Sequence, residues 1–229
     1  MLSISATDDW KNSHPGATIG LLELSGVLNS TSSSELHERK RQAEARLRER
    51  YQGFTRKDFL SVPVLADYER YYKRFNKTYH VQLQVESIVL KGKNLPDVSP
   101  LVDSNFIAEV ETFVLTAGHH VDKLHDPVFI DVSREGDSMT QMNGTSKALR
   151  AGDMVMKDAG GICCTILYGQ DNRSPISRET MHVLYVSYAP AGVLAETVDL
   201  QLHRIEENIR SFSPTVVLEQ HRLLVAETK

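Results

Sequence analysis

Three histidines lying close together are the first candidates for chemistry in this chain. His119 and His120 are adjacent, and His125 follows shortly after them. A neutral imidazole can position a water molecule or bind a ribose hydroxyl, so His119 and His120 are the catalytic candidates. The alternative is a histidine pair at the C-terminus of a helix, where a positive charge is favoured. His125 adds a possible third metal ligand, but the ligand set is incomplete and no metal site is predicted.

The helix expected just before these histidines is the element that would position them. Pro96 and Pro100 bracket a loop, and Asp103 or Ser104 can cap the helix that follows. Gly118 is a natural residue just past its end. Apolar residues recur at helical spacing along it, which predicts one face in a core: Phe106, Ile107, Val110, Phe113, Val114 and Ala117.

Two polar residues on this predicted helix are candidates for binding a substrate. Asn105 is a helix cap, a pocket donor or both, and Glu109 follows one turn later. A glutamate on a helix is usually solvated, and the alternative is that Glu109 faces a cleft. Both are therefore kept as substrate-binding candidates.

The later part of the chain reads as strands joined by turns. Four short runs of branched and aromatic residues are separated by Gly, Asp, Asn and Pro: "PVFIDVS", "MVMKDAGG", "ICCTILYG" and "HVLYVSYAP". Thr165 and Tyr168 are expected to line a pocket from this sheet, and His182 begins the last strand. Cys163 and Cys164 are expected to be buried small residues, because nothing near them in sequence would lower a thiol pKa. A helix is predicted from 194 to 212, followed by a short tail that packs or frays.

The first part of the chain predicts a strand and a charged helix. Residues 18–27 read as a buried strand. A helix is predicted from about 33 to 51, with Ser32 and Glu35 forming a capping box. Its many basic residues favour a solvated face, with a phosphate-contacting helix as the alternative: Arg39, Lys40, Arg41, Arg46, Arg48 and Arg50.

Two further segments contain tyrosines and branched residues. A helix is predicted over residues 64–75, whose aromatic residues favour core packing over stacking on nucleobases. Residues 79–89 fit either a strand or a helix. Helices first, strands later and helices again indicate an α+β protein with a mixed sheet.

Composition limits the class of protein. The chain has 229 residues, 41% of them hydrophobic, and a formal net charge of -4, so it lacks an overall basic field for nucleic acid. Its two cysteines are adjacent, which excludes a disulfide framework and favours a reducing cytoplasm. The first residues show no signal peptide, and no apolar run is long enough to span a membrane. A cytoplasmic protein without membrane contact is expected.

An ordered set of segments resembles the B3/B4 domain, the editing domain of the phenylalanyl-tRNA synthetase beta subunit. The segments are "YYKRFNKTYHVQLQVESIVLKGKNLPDVSPLVDSN", "VDKL", "GDMVMKDAGGICCTILYGQDN" and "SRETMHVLYVSYAP". The likeness covers residues 14–212, with 1–13 as a lead-in and 213–229 as a tail. The opening "HPGATIGLLELSGVLN" is similar to the free-standing branch of that family. The resemblance implies an α+β fold with a mixed or antiparallel β-sheet and packed helices.

The resemblance also implies a function. It suggests a free-standing editing domain that hydrolyses the ester of a misacylated tRNA in trans, without a cofactor. The alternative is a non-catalytic module of the same fold that binds RNA or an amino acid. The expected partner is thus the aminoacylated 3′ end of a tRNA or a small amino-acid-like ligand, and the oligomeric state is left open.

Individual residues match or depart from that family pattern. Asn105 matches an asparagine at the start of the central helix, and His119 or His120 corresponds to a histidine after it. Val186 stands at the position of an acidic residue that recognises tyrosine. Because valine cannot accept a hydrogen bond from a hydroxyl group, a smaller or more apolar amino acid is as plausible a substrate as tyrosine.

Overall fold

The computed structural model describes residues 2–29 and 33–227. Within them the chain forms six α-helices and eleven β-strands. The helices are α1 (Asp8–Ser13), α2 (Ser34–Arg50), α3 (Pro63–Lys73), α4 (His80–Lys91), α5 (Pro100–Thr112) and α6 (Ala195–Arg210). The predicted α+β class is confirmed.

The strands form two larger sheets and a hairpin. Their bounds are β1 (Ile4–Ala6), β2 (Thr18–Ser25), β3 (Thr116–His120), β4 (Val128–Val132), β5 (Ser138–Thr140), β6 (Ser146–Ala148), β7 (Met154–Asp158), β8 (Gly161–Thr165), β9 (Gly169–Gln170), β10 (His182–Ala189) and β11 (Val217–Val225). One sheet has the order β1-β4-β7-β8-β9, and only its β1–β4 pair is parallel. The other sheet is antiparallel with the order β11-β2-β10-β3, and β5 pairs with β6.

Helix α6 packs closely on strand β2 of the antiparallel sheet. A Cβ atom at Gly20 would lie 2.7 Å from Val198 Cγ1 and 3.1 Å from Leu202 Cδ1. The absence of a side chain at Gly20 therefore allows the helix to approach the strand. Leu202, Ile205 and Ile209 of α6 are fully buried against this sheet, which confirms the predicted apolar face of the helix.

The central helix ends earlier than the sequence predicted. Helix α5 begins at Pro100, where proline is well suited to the first turn, and ends at Thr112. Phe113 then adopts a left-handed conformation with φ of 63°. The Thr112 hydroxyl accepts a hydrogen bond from the backbone N–H of Val114, which helps to turn the chain out of the helix.

The histidine pair consequently lies in a strand, and the prediction that it follows the helix directly was wrong. Residues Gly118 and His119 belong to β3, which pairs with β10. Gly118 is needed for space rather than for a helix end, since a Cβ atom there would lie 2.5 Å from Ile176 Cδ1. Asp103 and Ser104, predicted as caps, lie inside α5, whose N-cap residue is Ser99.

The first and last described strands are both built into the sheets. Strand β1 pairs with β4, and α1 follows it. Strand β11 pairs with β2 along its whole length, so the segment expected to be a tail provides an edge strand. A long extended pairing of this kind depends on a distant partner, which local sequence does not reveal.

Helices α2, α3 and α4 complete the core. The N-cap of α2 is Ser33, whose hydroxyl accepts from the backbone N–H of Leu36, while Ser32 of the predicted capping box lies outside the described residues. The tyrosines of α3 are buried, and Tyr68 stacks on Tyr79 with 4.1 Å between ring centres, which confirms the core interpretation. Residues 80–91 form a helix, which decides between the two predicted alternatives.

Candidate functional site

A cavity of about 470 Å³ lies between helices α4 and α5 and the strands of both larger sheets. Its walls are mostly apolar, and the exposed side chains of Val98 and Met142 lie among the residues that border it. A size of 300–1,000 Å³, apolar walls and a few converging polar groups are typical of sites for small ligands. The polar lining residues are His80, Gln84, Asn105, Glu109, Thr116, Thr165, Gln170, Tyr185 and Tyr188.

Helix α5 contributes Asn105 and Glu109, which are four residues apart and so share one face. Asn105 Nδ2 donates to the backbone carbonyl of Thr116 at 3.1 Å. The backbone N–H of Thr116 donates to Glu109 Oε1 at 2.8 Å. These bonds join the helix to the first residue of β3, and they place both predicted substrate-binding residues in the cavity wall.

Glu109 is a buried carboxyl group with an altered acidity. Burial raises its pKa to about 8, although hydrogen bonds from Thr116 and Asn105 favour the ionised form. At neutral pH the group is therefore mainly protonated, and it can donate a hydrogen bond as well as accept one.

Two polar groups in the cavity wall are poorly satisfied by residues 2–29 and 33–227. Asn105 Oδ1 has no hydrogen-bond partner, and the hydroxyl group of Tyr188 has only the thiol of Cys164, a weak partner. Both belong to buried residues. Leaving a buried polar group unpaired costs about 1–3 kcal/mol, which a bound ligand with matching polar groups would recover.

The sheet side of the cavity contains Thr165 and Gln170. Thr165 was predicted to line a pocket and does so, and its hydroxyl accepts from the backbone N–H of Tyr168. Gln170 Nε2 donates to the carbonyls of Gly118 at 2.8 Å and Ser174 at 2.9 Å, which ties β9 to β3. Cys164 also lines the cavity, but burial raises its pKa to about 12, so it is a thiol and not a nucleophile.

His80 is the histidine of the cavity. Its Nδ1 lies 3.2 Å from the hydroxyl oxygen of Tyr72, and that hydroxyl also lies 2.7 Å from the Ile166 carbonyl oxygen, to which it donates. Because the tyrosine proton is used for Ile166, His80 Nδ1 is the donor to Tyr72 and Nε2 is left as the basic nitrogen. Although part of the residue is exposed, desolvation of the ring and the Lys77 ammonium lower the pKa of His80.

His119, a predicted catalytic residue, is fully buried and does not line the cavity. Its Nδ1 lies 2.8 Å from Ser174 Oγ, and Ser174 Oγ donates to Asp171 Oδ1 at 2.8 Å. Burial lowers the pKa of His119 to about 3, so the ring is neutral. Its contacts connect β3 to the segment after β9, which contributes Pro175 and Ile176 to the cavity wall.

His120 and His182 lie together at another place on the antiparallel sheet. His120 Nε2 is 3.5 Å from Asp122 Oδ2, and His182 Nδ1 is 3.8 Å from Asp122 Oδ1. His182 Nε2 also lies 2.8 Å from Glu23 Oε1. Neither histidine lines the cavity, and their predicted roles stay predictions.

Tyr168 and Val186 were also predicted to bind a substrate. Tyr168 precedes the lining residue Gly169, and the ammonium groups of Lys77 and Lys147 lie 4.4 and 5.0 Å from its ring centre. Val186 is fully buried in the main core, where it pairs with Ala117 of β3 and does not line the cavity. The neighbouring residues of β10 that do line it are Tyr185 and Tyr188.

Sequence reasoning missed six polar residues of this site: His80, Gln84, Thr116, Gln170, Tyr185 and Tyr188. His80 and Gln84 are four residues apart, as expected for one face of a helix. That signal was present in the sequence, but it required the segment to be recognised as a helix. Nothing in the sequence indicated that the Tyr188 hydroxyl would lie in the cavity wall with only the Cys164 thiol as its partner.

No helix in the described part of the chain is long and apolar enough to cross a membrane.

The chain was compared with curated proteins, solved structures and family models. No curated protein matches the chain. Among solved structures, one similar chain is an N-terminal fragment of the phenylalanyl-tRNA synthetase beta-subunit from Pyrococcus horikoshii. The two share 8% sequence identity and a TM-score of 0.47, and the likeness covers 97% of this chain and 50% of that one. This chain thus spans about half the length of that relative.

The family of this chain is shown by a family model. The model for the B3/4 domain matches residues 67–218, which is more than half of the chain and includes every residue that lines the cavity. The earlier resemblance is therefore confirmed, and this chain belongs to the B3/4 domain family.

Proposed function

We propose that this protein hydrolyses the ester bond of a misacylated tRNA in trans. The observation that carries the proposal is the cavity of about 470 Å³ in a B3/4 domain, which combines apolar walls with the unpartnered Asn105 Oδ1 and the weakly bonded Tyr188 hydroxyl. Such a site fits an aminoacyl group, which has an apolar or weakly polar side chain beside polar amino and ester groups.

The polar atoms of the cavity match the groups of an aminoacyl ester. Asn105 Oδ1 is an acceptor for the α-amino group or for a hydroxyl group of the amino acid. The protonated Glu109 and the Tyr188 hydroxyl supply donors for a carbonyl oxygen. Because Val186 lies in the core, the β10 contribution to specificity comes instead from Tyr185 and Tyr188.

His80 is the residue that we assign to water activation. Its Nε2 takes a proton from water while the water oxygen attacks the ester carbonyl carbon. In the tetrahedral intermediate, the bond between the former carbonyl carbon and the ribose oxygen then breaks. The ribose oxygen takes the proton that His80 accepted from water. The products are a free amino acid and a tRNA with both terminal hydroxyls.

Two lysines near the cavity favour a substrate that carries phosphates. Lys77 and Lys147 both lie against the ring of Tyr168, next to the lining residue Gly169. Desolvation, Lys147 and Arg150 all lower the pKa of Lys77, which shows that cations are crowded at this point. A phosphate of the tRNA 3′ end would relieve their mutual repulsion.

The test is a panel of misacylated tRNAs offered to the full chain, with release of the amino acid as the readout. We expect one class of aminoacyl-tRNA to be hydrolysed, and His80→Asn to reduce the rate by about 10²- to 10⁴-fold. His37→Asn is the matched control, because His37 is an exposed histidine on α2 that pairs with Asp97. Failure of the wild-type chain across the whole panel, or full activity of His80→Asn, would contradict the proposal.

A second candidate function is a non-catalytic module that binds an amino acid or RNA. It is favoured by the positions of His119 and His120, which lie outside the cavity although the family resemblance implied a histidine there. Saturable binding of an amino acid or an aminoacyl-tRNA without any hydrolysis would identify this function. Binding that weakens steeply with salt would indicate contact with the nucleic acid.

A further inference from the structure

A cluster of three side chains that can bind a metal lies on two elements that do not line the cavity. Asp199 and His203 are four residues apart on α6, and His221 lies on the edge strand β11. One carboxylate oxygen and one nitrogen of each ring lie within 4.8 Å of one another. No other group of three His, Cys, Asp or Glu side chains in the described part of the chain has ligand atoms this close together.

The contacts within the cluster already resemble a ligand set. His221 Nε2 lies 2.8 Å from Asp199 Oδ1, and His203 Nδ1 lies 3.4 Å from Asp199 Oδ2. Two ligand atoms bound to one Zn²⁺ at about 2.0–2.1 Å in a tetrahedron are roughly 3.4 Å apart. One observed separation equals that value and the other is shorter, so small movements of the side chains would form the site.

Two features hold the rings close to each other. The ring centres of His203 and His221 are 4.5 Å apart. His203 Nδ1 also lies 3.0 Å from the backbone carbonyl oxygen of Asp199, which restrains the ring over its own helix, and an ion bound through Nδ1 would replace this contact. His221 is mostly buried, whereas His203 is exposed to solvent, so an ion can reach the site from one side.

We propose that Asp199, His203 and His221 bind a Zn²⁺ ion that joins α6 to β11. Two imidazoles and one carboxylate suit zinc, copper or nickel better than magnesium or calcium, which prefer oxygen ligands alone. With three protein ligands, a fourth position remains for water. Because β11 pairs on one edge only, the ion would fix this strand to the helix that packs beside it.

The test uses the full chain without an affinity tag, freed of metal by a chelator. Zn²⁺ is titrated in competition with a chromophoric chelator, and thermal unfolding is measured with and without the ion. We expect one Zn²⁺ per chain and a higher Tm in its presence. Mutation of a residue that only hydrogen-bonds to a metal ligand lowers metal affinity by about 10- to 100-fold. Because His203 and His221 would bind the ion directly, His203→Asn and His221→Asn should each lower the affinity for Zn²⁺ by at least about tenfold.

His37→Asn is the matched control, since His37 pairs with Asp97 at 3.4 Å on the surface but belongs to no such cluster among the residues that the structure describes. This variant should bind Zn²⁺ as the wild-type chain does. His203 is exposed on a helix, so its replacement should leave the fold intact. Absence of stoichiometric binding in the wild-type chain, or unchanged binding in the variant that carries both His203→Asn and His221→Asn, would overturn the proposal.

Discussion

The cavity and helix α2 are both rich in polar groups, but they use them in opposite ways. On α2, the basic residues are bound to partners within the protein. Arg39 pairs with Glu35, Arg46 pairs with Glu111, and Arg48 donates to backbone carbonyls of the neighbouring segment. In the cavity, by contrast, Asn105 Oδ1 lacks a partner among the described residues, and the Tyr188 hydroxyl has only the Cys164 thiol.

Lys40 shows most clearly that the charges of α2 are structural. Its side chain is fully buried, and its Nζ lies 2.8 Å from both the Pro96 carbonyl oxygen and Asp103 Oδ2. These bonds hold the loop before α5, whose residue Val98 lines the cavity. A high density of charge therefore marks a scaffold here, whereas unsatisfied polar atoms mark the candidate binding site.

The largest expected effect tests the structural role of α2. Replacing Lys40→Met leaves Asp103 and the Pro96 carbonyl without their buried cation, and such losses cost about 3–5 kcal/mol. Chemical denaturation would measure the free energy of unfolding. Arg39→Gln, on the same helix but exposed, should change it by less than about 1 kcal/mol. Equal effects of the two variants would show that Lys40 is not a structural residue.

The second prediction concerns the protonation of Glu109. Its pKa is raised to about 8 in the folded chain and lies near 4.5 when unfolded. As the pH rises, Glu109 therefore loses its proton in the unfolded chain before it does so in the folded chain. Because ionisation then favours the unfolded chain, the free energy of unfolding should fall as the pH rises from about 4.5 to about 8. The total loss would be on the order of a few kcal/mol, since one unit corresponds to about 1.4 kcal/mol.

Glu109→Gln removes this titration and should flatten that part of the dependence of unfolding free energy on pH. Its amide oxygen can still accept from the backbone N–H of Thr116. Glu111→Gln, on the same helix with a partly exposed side chain, is the control and should retain the wild-type dependence. An unchanged pH profile in Glu109→Gln would mean that Glu109 is ionised at neutral pH.

A pair of tyrosines on β10 tests the difference between satisfied and unsatisfied groups. Tyr185 donates to the Leu101 carbonyl at 2.8 Å, so Tyr185→Phe should cost about 1–3 kcal/mol of stability. Tyr188→Phe loses only a weak contact with the Cys164 thiol and should change stability less than Tyr185→Phe, while reducing substrate affinity by roughly tenfold. Denaturation and binding measurements on both variants would reveal the contrast. A strongly destabilised Tyr188→Phe would remove the basis for a ligand-binding hydroxyl.

The smallest expected effect concerns the lysines beside Tyr168. Changing both Lys77→Gln and Lys147→Gln should weaken tRNA binding at low salt. The slope of log affinity against log salt should become less steep by roughly 1.4, because two contacts to a single strand are removed. Lys57→Gln with Lys123→Gln is the control, since both residues are exposed and neither lines the cavity. An equal change in that control would indicate general attraction rather than a local phosphate site.

Several features of the site were accessible from sequence. Periodicity placed Asn105 and Glu109 on one helix, and both line the cavity. The run containing Thr165 was recognised as a strand, and Thr165 lines the cavity as predicted. These residues depend on local pattern, which is set by the spacing of side chains along one helix or strand.

Other features depended on contacts between distant residues. The end of α5 was misplaced because the apolar spacing continued through Val114 and Ala117, although these residues follow the helix. The pairing of β3 with β10 decided that conformation, together with the close approach of Ile176 to Gly118. Tertiary pairing of this kind overrides local helical preference.

The sequence by itself determined the fold class, the family and the helix face that carries Asn105 and Glu109. Only the tertiary structure decided which histidine reaches the cavity, because His80 and His119 differ in burial and partners and not in residue type. The same holds for the approach of Asp199, His203 and His221, which requires β11 to lie beside α6. Spacing along the chain specifies neighbours on one element, whereas packing between elements specifies which side chains meet.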